Sequence, residues 1–262
     1  MLLINIKKIK KELIMTTWVK GKIIKILHWN NRLFSIILNA HINNFIAGQF
    51  TKLAIQDNKK KIIQRAYSYV NSPNNKNLEF YIVKINNGYL TTKLQTLKIK
   101  DEILISKNAI GNFTIKNIPS CKTLWMFATG TAIGPYLSIL QTKKQLTKFE
   151  NIVLVHAVRK YEDFNYIKLI QNLQNKNINK LHYVKITSRE INKNTINGHI
   201  PTLIKKGIIE KYVNLEINKN SQIMLCGNPG MVKDTQKFLI DKKKLRKRFN
   251  NKEGEITTEL YW

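Results

Sequence analysis

The sequence predicts a two-domain protein in which an antiparallel β-barrel is followed by an α/β domain with a parallel sheet. The chain has 262 residues, a length that suits two domains of about 100 to 150 residues each. In the first half, apolar and polar residues alternate in short segments, which is typical of antiparallel strands. In the second half, nearly continuous apolar runs alternate with helical segments, which is typical of a parallel sheet covered on both faces.

The barrel is predicted within residues 15–118. Five strand segments are separated by polar turns: WVKGKIIKIL, RLFSIILNA, GQFTKLAI, IQRAYSYV and LEFYIVKI. A short helix, GYLTTKLQTL, follows them, and its threonines are expected to cap it. The segment DEILISKNAIGNFTI supplies a last strand. Short strands at this spacing favour a closed antiparallel barrel.

The α/β domain is predicted within residues 119–262. Four apolar strands are each followed by a helix, namely PYLSILQTKK, YIKLIQNLQN, IPTLIKKGII and GMVKDTQKFLI. Ligands of such sheets bind beyond the carboxyl ends of the strands. One crevice should therefore be lined by the turns that end these strands: ATGTAIG, HAVRK, TSRE and CGNPG.

The two ends of the chain differ in character. Residues 1–14 place an apolar run before the lysines, the reverse of a secretory signal, and are expected to be an extension outside the folded domains. No apolar run approaches the roughly 20 residues that span a bilayer, so a protein without a membrane segment is expected. The two widely separated cysteines favour a reducing compartment, and a cytoplasmic location is expected. The chain finishes with TTELYW, and an end rich in large rings is unusual unless something holds it.

The formal net charge of +29 raises the question of a polyanionic partner. Lysine, asparagine and isoleucine are spread through every segment, which favours compositional drift of a solvated surface; a true polyanion site and docking of an acidic protein stay open. No recognisable nucleic-acid motif is present, so nucleic acid is not expected as a partner. Only six of the 45 basic residues are arginines, and these are therefore informative.

The cysteines and histidines do not predict a metal site. Cys121 and Cys226 lie far apart without metal-type spacing, and the five histidines show no paired spacing. Neither a disulfide framework nor a zinc site is supported.

Four short motifs carry the candidate chemistry. Arg65 and Tyr67 share one face of their strand, where they could clamp a phosphate and offer a flat ring, although an ordinary barrel strand would also contain them. Residues 128–135 form a turn of small residues between a strand and a helix. Such a turn could bind a phosphate, or it could be an ordinary strand-to-helix connection. Arg159 and Arg189 each follow a parallel strand, and their coincidence at one edge favours a phosphate site. Cys226 ends the last of these strands as either a functional thiol or a small core residue.

Together these motifs resemble a known family. RAYSYVNSP, ATGTAIGPYLSIL, LCGNP with MVKDTQ, and the terminal ELYW are similar in order and spacing to the bacterial ferredoxin/flavodoxin-NADP reductases. The resemblance runs from residue 15 to residue 262. It implies an FAD-binding barrel, an NADP-binding α/β domain, and an oxidoreductase that moves hydride from NADPH to FAD and single electrons to ferredoxin or flavodoxin. Two alternatives are a reductase of the same superfamily with another acceptor, such as an oxygenase, and, remotely, a basic nucleic-acid-binding protein.

The resemblance also implies site residues. For FAD, a phosphate clamp, a ring stack and a covering tail are implied at Arg65, Ala66, Tyr67, Ser68, Tyr81, Tyr89, Leu90, Thr91, Thr131, Tyr261 and Trp262. For NADP, the implied residues are Val158, Arg159, Ser188, Arg189, His199, Asn228, Pro229, Gly230 and Asp234. The implied catalytic residues are Ser68, Cys226, Glu259 and Tyr261. The family's acceptors are acidic proteins, and a monomer is expected.

Position 199 departs from the family pattern and generates a prediction. The resembling enzymes commonly carry an arginine there, directed to the 2′-phosphate, whereas this chain has His199. Because an imidazole lacks the planar fork of donors that a guanidinium offers to a phosphate, we expect weaker NADPH over NADH discrimination. The ratio of kcat/KM for the two nucleotides measures this, and an unchanged ratio in His199→Arg would contradict it.

Overall fold

The barrel is built from one antiparallel sheet. The computed structural model describes residues 16–176, 180–249 and 253–261, so the predicted extension at residues 1–14 lies outside the described residues. The six strands are β1 (Trp18–His28), β2 (Leu33–Asn39), β3 (Phe50–Gln56), β4 (Ile62–Ser68), β5 (Leu78–Val83) and β6 (Glu102–Ser106). Their order in the sheet is β4-β3-β6-β1-β2-β5.

The two edges of this sheet meet just beyond β4. Tyr69 bridges Phe80 of β5, and the Val70 amide donates to the Glu79 carbonyl at 2.9 Å. These contacts close the curved sheet at one end only, so most of β4 remains an edge strand. The predicted antiparallel barrel is confirmed.

Helix α1 (Tyr89–Gln95) lies between β5 and β6, and the prediction of a threonine cap is wrong. The residue that caps the helix is Gly88, and no side chain bonds the first free amides. Because the helix begins at Tyr89, Thr91 lies within its first turn. Its hydroxyl accepts from the Ile85 amide at 3.1 Å and donates to the Gly88 carbonyl at 3.2 Å.

The second sheet is parallel, as predicted. Its six strands are β7 (Cys121–Thr129), β8 (Phe149–Val158), β9 (Leu181–Thr187), β10 (Ile196–Asn197), β11 (Ser221–Gly227) and β12 (Ile256–Leu260), in the order β10-β9-β8-β7-β11-β12. The helices around it are α2 (Gly134–Leu140), α3 (Lys143–Leu146), α4 (Ile167–Lys176), α5 (Ile200–Lys205), α6 (Ile208–Val213) and α7 (Pro229–Lys243). The predicted boundary between residues 118 and 119 falls between β6 and β7 and stays a prediction.

Two details of this domain differ from the sequence expectation. The segment IPTLIKKGII is two helices rather than one, because Gly207 adopts φ +66° between α5 and α6. The carboxyl-terminal segment is a regular strand, because β12 pairs in parallel with β11 from Ile256 opposite Ile223 to Leu260 opposite Gly227. Its pattern of β-branched residues becomes a strand signal only once the neighbouring strand is known.

The barrel and the α/β domain share a continuous apolar core. Leu33, Val70 and Phe113 of the barrel side pack in the same buried cluster as Met126 and Leu137 of the α/β side. Among the described residues, no helix is long and apolar enough to cross a membrane. Within the same ranges, no group of three or more His, Cys, Asp or Glu residues could hold a metal ion.

A chain of hydrogen bonds crosses the contact between the domains. The Trp29 indole donates to Ser35 Oγ at 2.8 Å, Ser35 Oγ lies 2.6 Å from Tyr166 Oη, and Tyr166 donates to Glu79 Oε1 at 2.6 Å. Tyr166 has φ +63°, a costly conformation for a bulky residue, so the surrounding contacts hold it against local strain. Burial raises the pKa of Tyr166 well above its usual range, which keeps its hydroxyl a donor.

Removing the Tyr166 hydroxyl should destabilise the protein. In Tyr166→Phe, the half-buried Glu79 carboxyl and Ser35 each lose a partner, and a charged group left unpaired costs about 2 kcal/mol. Urea unfolding at pH 7 measures the loss. Tyr212→Phe, at a phenol that is 63% exposed, is the matched control and should change stability little; equal midpoints for the two variants would contradict the role of this chain of bonds.

Candidate active site

The last strand places Tyr261 against the barrel. The Tyr261 amide donates to the Gly227 carbonyl at 3.0 Å, which extends the β11–β12 pairing by one residue. The Tyr261 hydroxyl donates to Ser68 Oγ of β4 at 2.6 Å. Burial raises the pKa of Tyr261 well above its usual range, so the phenol remains protonated and keeps this bond. Two residues predicted for catalysis, which are far apart in sequence, are thus in contact.

Cys226 and Glu259 form a second pair beside this contact. They are register partners on β11 and β12, and the thiol lies 3.9 Å from Glu259 Oε1. Burial raises the pKa of the Glu259 carboxyl to about 7, and the bond from Cys226 lowers it in part. A Cβ atom on Gly111 of the barrel side would lie 3.8 Å from Glu259 Oε2, so this carboxyl lies between the sheet and the barrel. A titrating group is therefore placed where the two domains meet.

The exposed part of β4 carries the predicted phosphate clamp. Arg65 and Ala66 are exposed and Tyr67 is half-buried. The Arg65 guanidinium donates to the neighbouring Gln64 carbonyl at 2.7 Å, and within the described ranges it forms no ion pair with a carboxylate. An unpaired guanidinium on an edge strand, followed by a phenol ring, has the donor chemistry that a flavin nucleotide with a diphosphate needs. These residues fit FAD.

The small-residue turn after β7 is a one-turn 3₁₀ helix, Gly130–Ile133. Thr131 is buried in it, and Gly130 adopts φ +55° with no atom within 4 Å of where a Cβ would stand. Nε2 of the buried His156, on the neighbouring strand β8, lies 2.9 Å from the Gly130 carbonyl oxygen. The spacing of His156 from the other histidines did not single it out; the available signal was its place as the one titratable residue within the apolar run NIVLVHAV.

The residues predicted for the nucleotide phosphate meet at the ends of β8 and β9. The Ser188 amide donates to the Val158 carbonyl at 3.0 Å, and the Arg189 amide donates to the Arg159 carbonyl at 2.9 Å. The side chains of both arginines are exposed, and within the described residues neither has a carboxylate partner. The backbones of Arg159 and Arg189 thus lie next to each other, as the sequence predicts.

His199 lies next to the same edge. The amide of Gly198 donates to the Thr187 carbonyl at 3.0 Å, which brings the start of α5 beside the end of β9. His199 is the exposed residue that precedes α5. The backbone of His199 therefore lies near the backbones of Ser188 and Arg189. A nucleotide site shared by these residues requires this proximity.

The turn CGNPG begins helix α7 at the same edge of the sheet. Asn228 caps α7 by accepting from the amides of Gly230 at 2.9 Å and Met231 at 3.2 Å, and its own amide donates to Thr129 Oγ1 at 2.8 Å. Pro229 occupies the first helical position, where no amide donor is needed. Asp234 is exposed on α7, beyond its first turn.

Several predicted FAD residues lie away from this group or outside the description. Tyr81 is buried at the domain contact, where its hydroxyl accepts from Asn165 Nδ2 at 2.7 Å. Tyr89 is exposed at the start of α1, while Leu90 and Thr91 are buried there. Trp262 lies outside the described residues. Their roles toward FAD stay predictions.

Comparisons with known proteins bear on both halves of the chain. Residues 22–115 match the oxidoreductase FAD-binding domain, and residues 126–237 match the oxidoreductase NAD-binding domain. A ferredoxin NADP⁺ reductase from Neisseria gonorrhoeae, solved with bound FAD and NADP, superposes with a TM-score of 0.88 at 30% identity. That match covers 94% of this chain and 99% of the other.

Curated relatives agree over nearly the whole chain. The flavodoxin/ferredoxin--NADP reductase of Buchnera aphidicola subsp. Baizongia pistaciae is 54% identical over 249 residues, which cover 95% of this chain and 100% of that protein. The flavodoxin/ferredoxin--NADP reductase of Escherichia coli strain K12 is 46% identical, with the same coverage. These matches favour the main reading of the sequence over both of its alternatives. With its FAD-type barrel, its nucleotide-type parallel sheet and this level of identity, the chain belongs to the flavodoxin/ferredoxin–NADP reductase family.

Proposed function

We propose that this protein is an FAD-dependent reductase that accepts hydride from NADPH and delivers single electrons to ferredoxin or flavodoxin. The observation that carries the proposal is the contact between Tyr261 and Ser68, 2.6 Å long, beside the Cys226–Glu259 pair. It joins the end of the nucleotide-type domain to the edge strand of the flavin-type barrel. A reaction between two cofactors held on different domains needs such a meeting point.

FAD would supply the redox chemistry, while the protein would bind it, align it and exclude water. Arg65 would hold the diphosphate, and the Tyr67 ring would lie against the flavin. Ser68 would lie near the flavin's reactive N5, and Tyr261, bonded to Ser68, would cover the flavin face opposite Tyr67. The other FAD residues of the proposal are Ala66, Tyr81, Tyr89, Leu90, Thr91, Thr131 and Trp262.

NADP(H) would bind at the carboxyl ends of the parallel strands. Arg159 and Arg189, adjacent through their backbones, would bind the 2′-phosphate, with Ser188 as a further donor. The start of α7 would complete the site, because the free amides of a helix start favour a negative group. The remaining residues of this site are Val158, His199, Asn228, Pro229, Gly230 and Asp234.

Tyr261 would have to move for nicotinamide to reach the flavin. The hydroxyl bond to Ser68 holds the side chain, and a stack on bound flavin would add to it, each contributing on the order of 1 kcal/mol. The backbone bond to Gly227 is separate, so the ring can swing while β12 stays paired. Ser68, Cys226 and Glu259 would then fix the hydride geometry and the local charge.

The electron acceptor would be an acidic protein. With a net charge of +29, the chain produces a positive field that steers an acidic partner toward it. We expect the protein to act as a cytoplasmic monomer.

The proposed function predicts a yellow protein whose flavin is bleached by NADPH. Under anaerobic conditions, NADPH should remove the oxidised-flavin absorption, and ferredoxin or flavodoxin should restore it as each becomes reduced. Stopped-flow absorbance follows both steps. A protein that does not take up FAD, or that NADPH leaves fully oxidised, would contradict the proposal.

Ionic strength separates partner docking from the internal reaction. Between about 0.01 and 0.5 M salt, reduction of the protein partner should slow, because screening shortens the reach of surface charge from about 30 to about 4 Å. Reduction of a small uncharged dye by NADPH serves as the reference. If both rates respond equally to salt, charge steering of the partner is wrong.

Glu259 should give flavin reduction a pH dependence centred near pH 7. Its carboxyl, with a pKa of about 7, is neutral below that pH and ionised above it. The negative form opposes the negative charge that hydride brings, so the reduction rate should fall as the pH rises from 6 to 8. The ionised form should react about tenfold more slowly, since a unit charge about 10 Å away contributes roughly 1 to 2 kcal/mol, and the fall between pH 6 and 8 is then about fivefold.

Glu259→Gln tests this assignment by stopped-flow flavin reduction across the same range. The variant should lose the fall near pH 7 and retain the rate of the parent at low pH. Glu216→Gln, at an exposed carboxyl, is the matched control and should keep the profile of the parent. An unchanged profile in Glu259→Gln would remove Glu259 from the reaction.

A further inference from the structure

His156 belongs to a row of residues that crosses the parallel sheet at the level of the candidate active site. Register pairs run from Glu259 to Cys226, from Cys226 to Ala128, from Ala128 to His156 and from His156 to Lys185. Residues opposite each other on neighbouring strands project from the same face. His156 therefore lies on the face that carries Cys226 and Glu259, one strand beyond Ala128.

The hydrogen bonds of His156 define its tautomer. Its Nε2 lies 2.9 Å from the Gly130 carbonyl oxygen, which can only accept, so Nε2 carries the proton. Nδ1 is then an acceptor, and the Tyr183 hydroxyl donates to it across 3.3 Å. The ring also meets Phe164 edge to face, with centroids 5.4 Å apart. Three neighbours from different elements thus fix one orientation of the imidazole.

Burial keeps the imidazole neutral. His156 is fully buried, and this burial lowers its pKa to about 4, against a smaller raising effect of the bond to Gly130 and of Asp163. The other titratable groups that face it are Tyr183 and, along the row, Lys185. Between pH 6 and 8 the donor to Gly130 is therefore always the neutral ring.

The start of the turn that His156 contacts is not capped by a side chain, whereas Ala132 and Ile133 at its end are buried in the shared core. Thr129, the residue that precedes the turn, makes no capping bond to it, because its hydroxyl accepts from the Asn228 amide. On the outer side, a Cβ on Gly130 would meet no atom within 4 Å. His156 thus bonds the Gly130 carbonyl, while the space beside the Gly130 Cα is open.

We propose that His156 is a positioning residue, whose imidazole holds the Gly130 carbonyl and so aligns the Gly130–Ile133 turn for hydride transfer. The inference rests on the proposed function and adds a residue to it. Thr131, proposed to meet the flavin, follows Gly130 directly, so a shift of this carbonyl moves Thr131 as well. Because His156 is fully buried and bonded to Gly130, it would act through the turn.

Two variants separate positioning from simple packing. His156→Leu keeps bulk and removes the donor, whereas His156→Gln keeps an amide donor near the place of Nε2. With saturating NADPH, the rate of flavin reduction per bound FAD should fall about 10- to 100-fold in the leucine variant, the size of effect that a misplacement near 1 Å produces. The glutamine variant should recover most of that loss, and the KM for NADPH should change much less than kcat.

The control is His182→Leu. His182 lies on β9 and projects from the opposite face, and its Nε2 has no hydrogen-bond partner within the described residues. This variant should reduce its flavin at the rate of the parent. A leucine variant at position 156 with the rate of the parent per bound FAD, or equal losses in its leucine and glutamine variants, would overturn the proposal. A parent protein that NADPH cannot reduce would instead overturn the proposed function.

Discussion

The pairing of the last strand with β11 is the constraint on which the rest of the site depends. Register fixes Glu259 beside Cys226 and carries Tyr261 one residue past the end of β11, where its hydroxyl reaches Ser68. A register slip of one residue would turn Glu259 to the opposite face of the sheet. The backbone hydrogen bonds between β11 and β12 therefore determine which side chains meet in the site. The shared apolar core holds the barrel, and with it Ser68, in the position where Tyr261 reaches it.

Burial then gives each polar group in this region its protonation state. The carboxyl of Glu259 is held with a pKa of about 7, while His156, deeper in the same row, is kept neutral by a pKa of about 4. Tyr261 stays protonated. One face of one sheet thus holds an acid that titrates near neutrality and a base that does not, and the difference follows from how each one is buried and partnered.

Much of the fold followed from local patterns, whereas the exceptions depended on tertiary partners. Alternation of apolar residues identified the barrel strands, and continuous apolar runs identified four parallel strands. The sequence pattern did not reveal the break at Gly207, because a glycine within a helical pattern can adopt either the helical or the left-handed conformation. Strand β12 was missed as a strand, because an edge strand is defined by its neighbour. His156 was passed over, since a buried histidine and an exposed one look alike in a sequence, and its contact with Gly130 joins strand β8 to the turn after β7.

The core that spans both domains has a consequence for how the protein unfolds and for how it can be rebuilt. Phe113 and Val70 on one side and Met126 and Leu137 on the other exclude water together. Neither half can lose its structure without exposing the apolar surface of the other, so the two domains should behave as one cooperative unit despite having separate sheets. A chimera that exchanges one domain with that of a relative would have to carry over the matching residues of this shared layer as a set.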